Sequence, residues 1–155
     1  MKLHHSTTFS QLFEIWKSGE LTPQPFQGGD STATPGEKII FCFSGERYFL
    51  MGMDVTLHLP EKTPAREGEC WSWDYDYDGE MVQSPVEKEF HVFQRVALSS
   101  CSIELHDEKI PSAEDLLWGS DGDTAVIWSE KNQIAAAQFV EWLLKKREKN
   151  EPKNN

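Results

Sequence analysis

The chain reads as a single domain of mixed α+β class. Two segments, one near each end, carry an apolar stripe at helical spacing, and several short runs between them alternate or are continuously apolar, as strands are. These strands and helices do not take turns along the chain, as they would in a doubly wound parallel sheet, so mixed or antiparallel sheets flanked by an N-terminal and a C-terminal helix are expected. With 155 residues, 38% of them hydrophobic, and six Trp, three Tyr and nine Phe, the chain can bury one core without disulfide or metal staples. The globule is expected over residues 1–147, with 148–155 as a frayed tail.

Leu3 to His5 is a short strand entry. Phe9, Leu12, Phe13 and Trp16 then recur at i, i+3, i+4 and i+7, one apolar helix face, with Thr8 and Gln11 spaced as a capping box and Gly19 placed to close the helix in a left-handed conformation. From Thr22 to Glu37 the stretch "TPQPFQGGDSTATPGE" has turn composition and no period, so it predicts a long loop. "KIIFCFS" is a buried strand. "DVTLHLP" is a half-buried one, with Val55, Leu57 and Leu59 alternating against Thr56 and His58 until Pro60. "EKEFHVFQRVAL" places Phe90 and Val92 on one face and Glu89, His91 and Phe93 on the other. "CSIEL" and "TAVIW" are further short strands. "PSAEDLLW" is a helical turn begun by Ser112 with Asp115 as its partner, and Ile134 to Arg147 is the C-terminal helix, striped by Ala136, Phe139, Val140 and Leu143 and closed by Lys145, Lys146 and Arg147.

Charge and cysteine usage narrow the classes of function. Fifteen Lys and Arg stand against 26 Asp and Glu, a formal net charge of -11, and such a field repels nucleic-acid phosphates and anionic membranes alike. Cys42, Cys70 and Cys101 are odd in number and widely spaced, which suggests neither a disulfide framework nor a zinc knuckle. No apolar run has the length of a signal core or a membrane span, so a cytoplasmic protein is expected.

The stretch "WSWDYDYDGE" mimics the first half of a calcium loop through Asp74, Asp76, Asp78 and Gly79, but the twelfth position, which needs a bidentate Glu, is Pro85. No metal is expected. With period two, Trp71, Trp73, Tyr75 and Tyr77 share one strand face and the acidic residues the other, with a turn at Asp78–Gly79.

There is no GxSxG, P-loop, GxGxxG or HExxH pattern. Three short segments carry what remains: "LHHSTTFSQLFEIWKSGELTP", a strand ending in His, then Ser-Thr and an amphipathic helix; "KIIFCFSGERYFLM", a central strand followed by Ser and aromatic residues; and "EKEFHVFQRVAL", a Glu opening a strand ahead of an aromatic residue. In this order, over residues 3 to 105, the chain resembles the ADP-ribosyltransferase fold, DarT-type enzymes included. The resemblance implies that His5 hydrogen-bonds a ribose hydroxyl of NAD with Ser6 or Thr7 beside it, that Tyr48 or Phe49 stacks on the nicotinamide with Ser44 in support, and that Arg47 pairs with a phosphate or positions the acceptor. It also implies that Glu89 binds the nicotinamide ribose as the catalytic carboxylate. Glu87 is its rival, two residues earlier on the same face. Such a site wants a carboxylate because cleaving the glycosidic bond of NAD develops positive charge on the ribose, which a fixed negative charge stabilises. The sequence departs from the family at Ser6, where Gly is common, and in the "GGDSTATPG" loop.

Each of these residues also has a plain reading. His4 and His5 form a surface pair, Glu89 marks the wet face of a strand, and Ser44-Gly45-Glu46 is a turn. The expected function is an NAD-dependent ADP-ribosyltransferase acting on a macromolecule, a toxin or phage-related modifier. The charge favours a protein acceptor over nucleic acid, and an RNA 2′-phosphotransferase, of related fold, would want more cations than Lys2, Arg47 and Arg95. The alternative is a non-enzymatic acidic binding protein, an inhibitor, immunity partner or nucleic-acid mimic, meeting a basic partner through Asp74, Asp76 and Asp78.

Overall fold

A computed structural model describes residues 2–29, 31–44, 53–70, 73–75, 78–83, 87–106 and 109–150, with the backbone alone for 70, 73–75, 81–83, 87–88 and 150. Along the chain run β1 (Leu3–Thr7), α1 (Phe9–Ser18), β2 (Glu20–Leu21), β3 (Gln24–Pro25), β4 (Lys38–Ser44), β5 (Val55–His58), β6 (Arg66–Cys70), β7 (Trp73–Tyr75), β8 (Met81–Gln83), β9 (Glu87–Val92), β10 (Val96–Ala97) and β11 (Ser102–Leu105). The helices α2 (Ala113–Trp118), α3 (Thr124–Ile127) and α4 (Glu130–Asn150) follow. The class is mixed α+β.

The main sheet is antiparallel in every described pairing and runs β11-β5-β1-β4-β9-β6, with β3 added to β4. Small ladders join β10 to β2 and β7 to β8. One face of the sheet is apolar: Leu3, Ile40, Cys42, Val55, Leu57, Phe90, Val92 and Ile103 pack with Leu12 and Phe13 of α1 and with Ala136, Phe139 and Leu143 of α4 in one core. Phe13 and Phe139 meet at 5.3 Å between ring centroids, and Trp16 joins them at 5.5 Å from Phe139.

Local chemistry explains the helix ends. Thr8 caps α1 by accepting from the Gln11 N–H, and Gly19 closes it at φ 83°. Ser112 accepts from the Asp115 N–H at the head of α2. The helix α4 begins at Glu130, four residues before its expected start at Ile134, because Ser129 caps it through the Asn132 N–H, and it continues to Asn150. "TAVIW" is a correction: β-rich as it is, Thr124–Ile127 forms α3, since Asp123 accepts from the Ala125 N–H and nucleates a helical turn against α4. The strand expected to run from Glu87 to Leu98 breaks at Phe93–Arg95, and Val96–Ala97 leave it to pair with Leu21 and Glu20. The Thr22–Glu37 loop gains a two-residue strand, β3. "WSWDYDYDGE" contributes the first strand of the β7–β8 hairpin, with Gly79 at φ 78° in its connection.

Candidate functional site

β1 and β4 are hydrogen-bonded only at one end, Leu3 opposite Ser44 and His4 opposite Phe43. Beyond His4, β1 stays with β5, while β3 takes the other end of the same β4 edge at Ile39 and Lys38. The sheet therefore splits, leaving the edge of β4 open at Phe41. The His5 ring spans the gap: its Nδ1–H donates to the Phe41 carbonyl at 2.6 Å. A carbonyl only accepts, so Nδ1 carries a proton, and burial lowers the His5 pKa against the smaller opposing effect of that bond. The ring is neutral at pH 7, and its Nε2 is an acceptor.

A cavity of about 570 Å³ opens at this split, lined by His5 and Thr7 of β1, Gln11, Glu14, Ile15 and Ser18 of α1, Glu20, Leu21, Thr22 and Gln24 after it, and Ile40 of β4. The Thr7 hydroxyl donates to Gln11 Oε1 at 2.7 Å, which leaves the Gln11 amide hydrogens to an occupant. Glu14 is paired with Lys17 and Glu20 with Arg95, and the lining holds no cation among the described residues. Apolar Ile15, Leu21 and Ile40, one neutral imidazole acceptor and a fringe of amides, hydroxyls and carboxylates suit a flat ring carrying a polyhydroxyl group. The volume lies within the usual range for small-molecule sites.

The opposite face of the sheet is polar; His4, Thr56, Glu89 and His91 on it are buried, whereas His58 and Glu104 are partly exposed. The register sets His4, Phe43 and Glu89 side by side across β1, β4 and β9. Thr56, expected on a wet face, is fully buried because Ser6 Oγ lies 2.9 Å and His106 Nε2 2.5 Å from its hydroxyl. His58 Nε2 lies 2.8 Å from Glu104. Burial, with the nearby His58, pushes the His4 pKa down to about 4, so His4 is a buried neutral ring and not a surface residue. Glu89 and His91 are 1% and 0% exposed, where the strand pattern alone places them in solvent. The His91 Nε2 stands 3.1 Å from Glu89 Oε2, but off the direction of a hydrogen bond, and neither Glu89 oxygen has a hydrogen-bond partner among the described residues. Arg66 Nε and Nη2 approach His91 Nδ1 at 3.1 and 2.6 Å, and the same guanidinium grips Glu37 at 3.0 and 2.6 Å. That fork holds the Glu37 carboxyl below its ordinary range.

The structure thus brings His5 and Thr7 together at the cavity, puts Ser44 at the closed end of the split beside Leu3, and turns Ser6 to the other side of β1 with Thr56. Glu89 is outside the cavity lining, on the far face of β4's neighbour β9. Arg47, Tyr48 and Phe49, Asp76, and the side chains of Asp74 and Glu87 lie outside the described residues; Asp78 is exposed. Sequence reasoning missed Arg66, Glu37, Gly68 and the cavity residues of α1. Gly68, a lone glycine inside the charged run "REGEC", was the one signal in reach, since a glycine within a strand marks a close approach of backbone or ring. No group of three or more His, Cys, Asp or Glu among the described residues is arranged to hold a metal, and no described helix is long and apolar enough to cross a membrane. No family model, curated protein or solved structure matches the chain.

Proposed function

We propose that the chain is an NAD-dependent ADP-ribosyltransferase acting on a macromolecular acceptor, a protein in preference to a nucleic acid. The observation that carries the reading is the split between β1 and β4, with the neutral His5 acceptor fixed in it and a nucleoside-sized cavity beside it. The three segments on which the resemblance rests also become three adjacent strands, β1, β4 and β9. Glu89 adds a buried carboxylate with its acceptor capacity unspent, a state that a purely structural residue seldom keeps.

In this reading the nucleoside lies on the α1 side with a ribose hydroxyl donating to His5 Nε2, and binding uncovers Glu89 on the opposite face of the sheet. The nicotinamide ribose then approaches Glu89. As the glycosidic bond breaks, the carboxylate faces the positive charge that develops on the ribose, nicotinamide leaves with the bonding electrons, and an acceptor nucleophile takes its place. The excess of acidic residues over Lys and Arg favours a basic protein as acceptor.

The test is nicotinamide release from NAD in the presence of cell lysate, followed by mass spectrometry, for the natural chain and Glu89→Gln. Release that falls at least about a hundredfold in the variant, together with an ADP-ribosyl adduct on lysate protein, is expected, as for loss of a group that acts in the transition state. If neither chain releases nicotinamide and NAD does not raise the melting temperature, the enzyme reading is lost, and the alternative, an acidic binding protein, takes its place.

A further inference from the structure

We infer that Arg66, anchored by Glu37, fixes His91 with its proton on Nε2 and so makes His91 a positioning residue for the Glu89 carboxylate. The consequence for catalysis rests on the transferase reading; the placement of the proton does not.

Arginine has donors and no acceptor. Two of its nitrogens converge on His91 Nδ1, so that atom must offer its lone pair, and the one proton of the neutral ring resides on Nε2. Nε2 is the atom that stands 3.1 Å from Glu89 Oε2. The other tautomer would set a lone pair against the carboxylate oxygens. Arg66 therefore turns the N–H of His91, and not its lone pair, toward the Glu89 carboxylate.

The ring is also held mechanically. Phe41 meets it edge-on at 5.4 Å between centroids. Gly68, on the neighbouring strand, lets it lie flush, since a Cβ there would come within 2.7 Å of His91 Cε1 and 2.9 Å of Nε2. The bidentate contact to Glu37 keeps the guanidinium from turning to solvent. Because Nε2 and Oε2 are close but not aligned, the proton biases Glu89 electrostatically while its oxygens stay open to a substrate hydroxyl.

Long-range proton–nitrogen correlation spectra of the full chain with nitrogen-15 histidine at neutral pH read the tautomer directly. For His91 the expected pattern is an unprotonated Nδ1 and a protonated Nε2, which Arg66→Met converts to a mixture of tautomers or to the reverse. Arg66→Met keeps the aliphatic stem of a partly exposed side chain, and Gly68→Ala adds a Cβ that crowds both the His91 ring and Thr32 Oγ1, each at 2.7 Å, without changing any titratable group. In nicotinamide release each variant is expected to lower kcat about tenfold or more with KM for NAD nearly unchanged, the signature of a lost transition-state interaction. A protonated Nδ1 in the natural chain, or an unaltered tautomer in Arg66→Met, overturns the inference. If the tautomer responds as expected but the natural chain never releases nicotinamide, the proton placement stands and the transferase reading falls.

Discussion

His5 and Glu89 show how a residue can stand out in a sequence while its setting stays hidden. Both side chains are conspicuous in the sequence, but the pattern of a strand says only that its faces alternate. It does not say which face a loop or a neighbouring strand will cover, so Glu89, expected in solvent, is buried beside His91. The partners that define its environment, Arg66 and Glu37, are brought in by strand register and by a loop from 23 and 52 residues away, counted as 89 − 66 and 89 − 37. No local pattern announces them. At His5 the bond to Phe41 fixes the acceptor nitrogen, so under the proposed transferase reading His5→Ala removes one ligand hydrogen bond, about 1 kcal/mol. Calorimetric titration with NAD should show affinity roughly fivefold weaker, and an unchanged affinity would take His5 out of the site. Cys42 belongs to this scale too: burial pushes its thiol up to about 12, so it acts as a small apolar core residue and not as a nucleophile.

Among elements, those with strong local signals were legible and those made by long-range pairing were not. α1 was readable because its stripe and both caps agree, and β4 because a short, β-branched and aromatic run has few other uses. β2, β3 and β10 are two residues each and exist only through the partners that meet them. α3 shows a cap overruling β propensity over four residues. Gly19 permits a clean test. Its φ of 83° is one that side-chain-bearing residues rarely adopt, yet nothing lies within 4 Å of an added Cβ. Gly19→Ala should therefore cost only the backbone penalty, about 1 kcal/mol. Chemical denaturation should show it as a lower midpoint with unchanged slope; a loss several times larger would mean that α1 is anchored by more than its cap.

At the scale of the whole molecule the buried histidines set the response to acid. His4 titrates at about 4 and His5 below the ordinary 6.5 in the folded chain, so between these values the unfolded chain binds more protons than the folded one. Stability then rises with pH through that window and is lost on acidification below about pH 6.5, by up to about 1.4 kcal/mol per pH unit for each such histidine. Glu37, held low by Arg66, adds a loss of the same sign only at more acidic pH. Urea midpoints measured in moderate salt, which screens the net charge of -11, should fall from pH 7 to pH 5; equal midpoints would contradict neutral burial of these rings. The split sheet has a mechanical consequence as well. Among the described residues, two backbone pairs and the His5–Phe41 bond lace the β11-β5-β1 half to the β4-β9-β6 half, whereas the ladders inside each half run to four or five pairs. An occupant lying across that seam would act as a tie between two panels that few described backbone pairs join.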